Sequence, residues 1–283
     1  MYILEFIFFY KGWSSFFCMV KKGKLIVIEG MDGSGKTTQI DLLMKRFDEE
    51  KKGAVVLDFP NYSTPTGKIV RRYLDGEFGP ANDIPAKVAS IFYAEDRFAS
   101  KKFIHEELDK GNITILDRYV ESSMGHQGGK IRDRAEREDY VKWLEDLEYG
   151  NFGLPRPDAV VFLHMPQVVS RELMLNRETK PEFHPGKTSV DGLDGHESSK
   201  EHMTNAEESY LHLAELFGWI TIRCAPDGTM DSLKTPEEIH KEIWEKLGDV
   251  VGKKETVLDM RGISVDERER VLEILEKMYE VKK

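Results

Sequence analysis

A glycine-rich turn between an apolar strand and a helix constrains the fold more than any other feature of the sequence. Residues 25–29 are mostly β-branched and are bounded by glycines, which predicts a strand buried on both faces. Residues 30–37 then fit the pattern G-x-x-x-x-G-K-[ST]. Behind the turn, one apolar stripe at helical spacing is formed by Ile40, Leu43, Met44 and Phe47. This succession of strand, turn and helix predicts a phosphate-binding loop in an α/β fold.

Further apolar segments alternate with helical segments along the chain. Strands are predicted at 54–59, 113–117, 159–163 and 219–223, and a long amphipathic helix at about 86–110. Strands separated by helices run parallel and are covered on both faces. The sequence therefore predicts an α/β fold with a five-stranded parallel sheet and helices on both faces.

The composition is that of a soluble globular protein. The chain has 283 residues, of which 40% are hydrophobic and 33% charged, and its net charge is -10. Typical domains of about 150 residues allow one large or two small domains. An acidic surface is ill suited to gripping a phosphate backbone, so nucleic acid is not expected as a partner and phosphate recognition must be local.

Cysteine usage and the first residues bear on location. Cys18 and Cys224 match no metal or redox spacing, which indicates a reducing compartment and predicts a cytoplasmic location. The aromatic-rich first 20 residues include Glu5 and Lys11, so their longest apolar stretch is too short to span a bilayer, and no membrane partner is expected. Met19 is expected to be the functional start, with the upstream residues an artefactual extension or a loose tail; an interfacial anchor is the alternative.

The pattern divides the chain into a core with two appendages. Residues 1–23 are predicted to be a non-core tail, and residues 24–247 form the core domain. Within the core, residues from about 177 to 199 are polar and lack an apolar period, as in a lid loop. Residues 248–283 carry a capping-box spacing and an apolar stripe, which predict an added helix.

The chemistry of the turn indicates a nucleoside triphosphate. Glycines let backbone N–H groups surround phosphate oxygens, and the helix N-terminus adds the positive end of its dipole. Lys36 reaches the outer phosphates, and the Thr37 hydroxyl ligates Mg²⁺. GTPases, ATPases and small-molecule kinases all share this loop. The chain lacks the Asn-Lys-x-Asp segment of GTPases, and Asp117 is followed by Arg118, where hydrolytic machinery would place an acid.

The chain resembles the thymidylate kinases in four segments that occur in that family's order and spacing: MDGSGKTTQ, DFPNYSTPTGKIVRRYL, IFYAEDR and DRYVESSMGHQG. The similarity runs from Lys24 to about Leu247. It implies the P-loop kinase fold, an α/β fold with a five-stranded parallel sheet, helices on both faces and a mobile lid. It also implies a P-loop nucleoside monophosphate kinase that transfers the γ-phosphate of ATP to dTMP, giving dTDP on the route to dTTP, with Mg²⁺ as cofactor. It also implies a homodimer. The residues then expected to bind ATP are Gly30, Met31, Asp32, Gly33, Ser34, Gly35, Lys36, Thr37 and Thr38.

The resemblance also implies roles at the transferred phosphate. Because the acceptor is already an anion, the reaction needs positioning and positive charge rather than a general base. Arg118 clamps the acceptor phosphate, and Tyr62, which follows Phe59 in the second segment, donates a hydrogen bond to it. Asp117 helps Thr37 to hold magnesium or its water. The expected catalytic residues are Lys36, Asp117, Arg118 and Arg177.

Arg177 is included because the phosphate loop has no cation at its variable positions, so the lid must supply one, as in the bacterial-type arrangement. Lys180 is a second candidate, and Lys187 and Arg171 are weaker ones. Asp194 and Glu197 resemble the acidic pair at the end of the family's lid. Three histidines lie in or beside the lid, but no ligand-pair spacing supports a zinc site.

At the nucleoside, Tyr93 and Arg97 are separated by four positions on a predicted helix, so both side chains leave one face. By resemblance, the tyrosine ring stacks on thymine and the guanidinium donates to a base carbonyl. Asp32 accepts from the sugar 3′-hydroxyl. The remaining expected substrate-binding residues are Phe59, Tyr62, Arg118, Ser123, His126 and Gln127.

Two departures from the family pattern qualify these expectations. His126 replaces a tyrosine or phenylalanine that helps to exclude a 2′-hydroxyl, so a preference for deoxyribose is less firmly implied than the reaction. His164 stands where a strand-end aspartate is common. Two other kinds of function remain open. One is another P-loop nucleoside or nucleotide kinase, with a different nucleoside monophosphate as acceptor or with a deoxynucleoside, for which Glu29 would serve as the base. The other is a noncatalytic nucleotide-dependent switch.

Overall fold

Five parallel strands form one sheet in the order β2-β3-β1-β4-β5. The computed structural model describes residues 23–178 and 200–252, except the side chains of 175–178 and of 200–201. The strands are β1 Lys24–Gly30, β2 Ala54–Asp58, β3 Ile113–Asp117, β4 Ala159–His164 and β5 Ile220–Arg223. The predicted α/β fold is confirmed, and each predicted strand is present within about one residue of its expected bounds.

Eight helices occur in the described part of the chain: α1 Lys36–Glu49, α2 Pro65–Leu74, α3 Ala86–Asp109, α4 Val120–His126, α5 Arg134–Glu145, α6 Gln167–Glu178, α7 Lys200–Phe217 and α8 Pro236–Leu247. A π-helix, Asp146–Asn151, continues from α5. The connections between strands and helices are those of a doubly wound sheet, in which helices cover both faces.

Successive side chains of β1 point to opposite faces of the sheet and belong to two separate layers of the core. Ile26 and Ile28 pack on one face, in a cluster with residues of α1 and α8. Leu25 and Val27 pack on the other, with residues of α3, α4 and α5. All four side chains have no exposed surface, as expected for a central strand of a parallel sheet.

The described residues include parts of both appendages and of the segment predicted to be the lid. Arg177 lies in the last turn of α6, so the helix extends two residues into the segment predicted to be the lid. Residues 179–199, 1–22 and 253–283 lie outside the described residues. At the end of the core, contacts continue past 247 to Val251, which is buried in the α1–α8 layer. Among the described residues, no helix is both long enough and apolar enough to cross a bilayer.

Candidate active site

The carboxyl ends of the three neighbouring strands β2, β3 and β1 meet at one edge of the sheet. The phosphate-binding loop leaves β1 there, and Asp58 pairs with Asp117 across the ends of β2 and β3. In the loop, Gly33 and Gly35 have φ angles of 77° and 90°, a region that favours glycine. This edge is where open α/β sheets bind their ligands.

A cavity of about 520 Å³ opens at this edge. It brings together most of the residues that the sequence singled out: Asp32, Gly33, Gly35, Lys36, Thr37, Thr38, Phe59, Tyr62, Tyr93, Arg97, Asp117, Arg118, Ser123, His126 and Gln127. Gly30, Met31 and Ser34 belong to the loop but do not line the cavity. The side chain of Arg177 and the residues Lys180, Lys187, Asp194 and Glu197 lie outside the described part.

Lys36 is held against the loop that precedes it. Its Nζ donates to the carbonyl oxygens of Gly30 at 3.0 Å and Met31 at 3.3 Å, and lies 3.8 Å from Asp32 Oδ1. Burial lowers the pKa of Lys36, and the nearby charge of Arg118 lowers it further, whereas Asp32 opposes the shift. The loop thus fixes the position of this cation.

Arg118 extends from the end of β3 toward the same carbonyl. Its Nη1 donates to Gly30 O at 3.2 Å, and its Nη2 donates to Asp32 Oδ1. The backbone of Arg118 has a φ of 70°, an uncommon value for a residue with a side chain. Lys36 and Arg118 therefore converge on one backbone oxygen, with Asp32 as their shared acidic neighbour.

Glu29 anchors the turn that presents Arg118. Its Oε1 accepts from the backbone N–H of Tyr119 at 3.0 Å, and its Oε2 accepts from the hydroxyls of Ser122 and Tyr210, each at 3.0 Å. Burial raises the pKa of Glu29, and the charge of Arg118 opposes that shift. Because both oxygens are engaged by the protein's own donors, the deoxynucleoside kinase alternative loses the base on which it depended.

Tyr93 and Arg97 reach the cavity from one face of α3, as the sequence predicted. The Tyr93 ring is half-buried and lies edge-on to Tyr73 of α2, with centroids 6.1 Å apart. Arg97 is fully buried and donates to Ser123 Oγ at 2.9 Å. It also forms a two-pronged ion pair with Glu148, a residue that the sequence analysis did not identify.

His126 lines the cavity between two neighbours. Its ring lies edge-on to Tyr210, with centroids 5.3 Å apart, and its Nε2 is 3.3 Å from Arg118 Nη1. Burial and the charge of Arg118 hold the pKa of His126 well below its usual range. The neutral ring accepts from Arg118 through Nε2. His164, in contrast, lies outside the cavity lining and pairs with Glu207 of α7 at 3.0 Å.

The residues present fit a magnesium ion. Asp117 Oδ1 is buried and has no hydrogen-bond partner among the described residues, although it belongs to a side chain that lines the cavity. Thr37 lines the same cavity. At sites of phosphoryl transfer, Mg²⁺ is held by one or two protein oxygens together with substrate phosphates and water, so a closed cluster of side-chain ligands is not required.

Several residues of the site were not identified from the sequence. Asp96 is buried and ties α3 to the segment that carries Tyr62, and Met203 of α7 forms part of the cavity wall. The signal for Asp96 was its position beside Arg97 in the segment IFYAEDR. Nothing local marks Met203 or Glu148, since each contacts the site from an element distant in sequence.

The chain is similar to thymidylate kinases in sequence. A family model described as thymidylate kinase matches residues 28–222. A probable thymidylate kinase of Thermococcus gammatolerans is 32% identical over 228 residues, which span 78% of this chain and 94% of that protein. A thymidylate kinase of Schizosaccharomyces pombe is 35% identical over 144 residues, or 51% of this chain and 62% of that one.

A solved structure of thymidylate kinase from Candida albicans has a similar fold. Its TM-score to this structure is 0.58 at 21% sequence identity, and the match covers 80% of this chain and 91% of that one. The fold likeness therefore extends over most of both chains, beyond the phosphate-binding loop alone.

Proposed function

The chain belongs to the thymidylate kinase family and phosphorylates dTMP with ATP as the phosphate donor, and we propose that the cavity at the sheet edge holds both substrates during the transfer. An oxygen of the dTMP phosphate forms a bond to the γ-phosphorus of ATP. The bond from that phosphorus to the bridging oxygen breaks, which yields dTDP and ADP. The attacking oxygen is already anionic, so no side chain has to remove a proton.

The observation that carries this proposal is the convergence of Lys36 and Arg118 on Gly30 O, at 3.0 and 3.2 Å. Two cations at one point favour a site where two phosphate groups meet, because the transferred group and the acceptor both carry negative charge. Arg118 binds the acceptor phosphate, together with Tyr62, and Lys36 binds the outer phosphates of ATP. Asp32 orients Arg118 and accepts from the sugar.

Magnesium is part of the same proposal. Thr37 and Asp117 would hold the ion on the ATP side of the cavity, which is consistent with the orphaned Oδ1 of Asp117. When bound, Mg²⁺ supplies charge neutralisation and orientation of the phosphate oxygens. Asp117 is the last residue of β3 and directly precedes Arg118, so the end of one strand presents both an anion for the metal and a cation for the acceptor.

The thymine site lies at the α3 side of the cavity. The face of Tyr93 would stack on the base, Arg97 would donate to a base carbonyl, and Ser123 and Gln127 lie beside them on the cavity wall. Phe59 and His126 complete the walls. The neutral imidazole of His126 offers less bulk than a phenol ring, so exclusion of a 2′-hydroxyl is the weakest element of the specificity.

The proposal extends to a lid cation, a homodimer and a cytoplasmic location. Arg177 would reach the transferred phosphate from the end of α6. A self-association surface is supported by Val88, Ile91 and Phe98, whose spacing places them on one face of α3 and whose side chains are 46, 48 and 49% exposed. The cytoplasmic location stays a prediction from cysteine usage.

A coupled assay of ADP release with a panel of acceptors tests the function. We expect Mg²⁺-dependent ADP release with dTMP and little with thymidine. Turnover of thymidine but not dTMP would establish a deoxynucleoside kinase, and the absence of acceptor-dependent ADP release would favour the noncatalytic switch. Equal rates with UMP and dTMP would remove the preference for deoxyribose while leaving the reaction itself intact.

A further inference from the structure

The guanidinium of Arg97 is clamped from behind by one carboxylate. Glu148 accepts from Nε and from Nη2 of Arg97, each at 2.6 Å, in a two-pronged arrangement. The two side chains are 1% and 0% exposed. Such a fork fixes the plane of the guanidinium as well as its position, which a single hydrogen bond would leave free to rotate.

Four of the five N–H donors of Arg97 have acceptors in the protein. A guanidinium has five N–H donors. Glu148 takes one on Nε and one on Nη2, Ser123 Oγ takes the second on Nη2 at 2.9 Å, and the carbonyl of Tyr119 takes one on Nη1 at 3.0 Å. One Nη1 donor is left without an acceptor among the described residues, in a side chain that lines the cavity.

The position of Glu148 is itself unusual. It lies in the π-helix Asp146–Asn151, a wider turn that follows α5, and its partner lies 51 positions away in α3. Inserted π turns are frequent at functional sites because they redirect single side chains. A buried ion pair gives little net stability compared with well-packed apolar residues, so packing alone gives no reason for this pair.

One fixed N–H donor of Arg97 can distinguish thymine from 5-methylcytosine only where the two bases differ in their hydrogen-bonding groups. Thymine and 5-methylcytosine differ at C4, which carries a carbonyl oxygen in one and an amino group in the other, and at N3, which carries hydrogen only in thymine. Arginine has donors and no acceptor, so it cannot recognise the N3 hydrogen. At N3 an arginine donor would favour 5-methylcytosine, whose N3 accepts a hydrogen bond. A single arginine donor can therefore favour thymine over 5-methylcytosine only at the C4 oxygen.

We propose that Glu148 is the positioning residue for base selection: by fixing Arg97 it leaves one N–H aimed at the C4 carbonyl of the pyrimidine, which selects thymine over a 4-amino pyrimidine. This inference rests on the proposed function. If the guanidinium rotated, it would place different donors in the cavity, and a 4-amino base would no longer meet a fixed donor. A buried donor that faces an amino group is left unpaired, which is the basis of strong discrimination.

Glu148→Gln tests the clamp, since the amide presents an N–H to one of the two Arg97 donors. We expect KM for dTMP to rise at least about tenfold with kcat nearly unchanged, and the preference for dTMP over 5-methyl-dCMP to fall by at least about tenfold. Glu148→Asp keeps a carboxylate and should restore part of that preference. The matched control is Glu121→Gln, the same change in a nearby buried carboxyl that bonds Tyr149 rather than Arg97.

A role confined to stability would leave the preference between the two nucleotides unchanged. Thermal unfolding of each variant therefore accompanies the kinetics. If Glu148→Gln does not fold, Glu148→Asp is measured in its place, because its shorter side chain cannot hold both Arg97 donors in the same geometry; a base preference below that of the wild type then supports the proposal. A folded variant of either kind that retains the wild-type preference overturns it. Wild-type protein that releases no ADP with dTMP would instead overturn the proposed function.

Discussion

Asp32 accepts a hydrogen bond from Arg118, so the phosphate-binding loop and the end of β3 are joined by an ion pair. The acid would repel phosphate if it stood alone, since like charges raise the energy of the bound anion. Because Asp32 is paired, its role is to orient the guanidinium of Arg118. The backbone of Arg118, at a φ of 70°, is already in an uncommon conformation.

The first prediction follows from this pair. Asp32→Asn keeps the shape but gives a weaker, uncharged acceptor, so Arg118 loses orientation and kcat/KM for dTMP should fall by roughly 10- to 100-fold. Steady-state kinetics with both substrates measure this. Asp41→Asn, an exposed change on α1, is the control and should leave kcat/KM for both substrates unchanged. If Asp32→Asn instead raised kcat/KM, repulsion of phosphate would outweigh positioning.

A second prediction concerns Asp96, which holds the segment that carries Tyr62. Its Oδ2 accepts from the backbone N–H of Asn61 at 2.7 Å, and its Oδ1 accepts from the hydroxyls of Thr64 at 3.0 Å and Thr66 at 2.8 Å. The side chain is 1% exposed. One carboxylate thus determines the path of this loop across the mouth of the cavity.

Asp96→Ala leaves these donors without their charged acceptor. We expect a loss of about 2 to 4 kcal/mol of stability and a rise in KM for dTMP of at least about tenfold, with a smaller change in KM for ATP. Urea unfolding and steady-state kinetics check the two parts. Glu95→Gln, an exposed neighbour on α3, is the control. An unchanged KM for dTMP in a folded Asp96→Ala variant would contradict the prediction.

The sequence predicted the features that depend on local pattern. The alternation of residues 25–28 follows from burial of β1 on both faces, and the glycines of the phosphate loop follow from its backbone conformation. The shared face of Tyr93 and Arg97 follows from helix geometry alone. Each of these features has its physical cause within a few residues of chain.

What could not be predicted depends on contacts between distant elements. Glu148 pairs with Arg97 across 51 positions, and Tyr210 of α7 reaches Glu29 of β1 across 181. The sequence singled out Glu29 as a candidate base because its local position suits that role. Only the packing of α7 and the turn after β3 shows that its two oxygens are already occupied.

The third prediction tests the lid cation. Arg177 lies in the last turn of α6, and its side chain is outside the described residues. Arg177→Ala should lower kcat by roughly 10³-fold with a modest change in KM for dTMP, because an arginine at the transferred phosphate acts mainly in the transition state. The control is Lys45→Ala, which removes an exposed cation of α1 that does not line the cavity. An unchanged kcat would remove Arg177 from the mechanism.

The fourth prediction concerns self-association through α3. Ile91→Asp combined with Phe98→Asp places two charges on its exposed apolar face, where burial against a second copy would be unfavourable. Sedimentation should show a dimer for the wild type and a monomer for this variant. Leu216→Asp, on an exposed position of α7, should leave the dimer intact. A monomeric wild type, or a variant that remains dimeric, would contradict the prediction.

Glu121 provides the last prediction, because its carboxyl is buried behind the cavity. Tyr149 donates to Oε1 at 2.6 Å, while Oε2 has no hydrogen-bond partner in the described part of the chain. Burial raises the pKa of Glu121 from 4.5 to about 7; the hydrogen bond from Tyr149 opposes this shift, and the charge of Glu29 adds to it. The folded state therefore binds a proton more tightly than the unfolded chain between these two pH values.

Stability from this group is complete below pH 4.5 and is lost as the pH rises through about 7. Glu121→Gln removes the titration, so the free energy of unfolding of the variant should rise relative to that of the wild type between pH 4.5 and about 7, by at most about 3 kcal/mol. Above this window the difference should stay constant. Urea unfolding at a series of pH values measures this difference. Glu106→Gln, exposed on α3, should show no such trend. A difference independent of pH would mean that Glu121 titrates alike in both states.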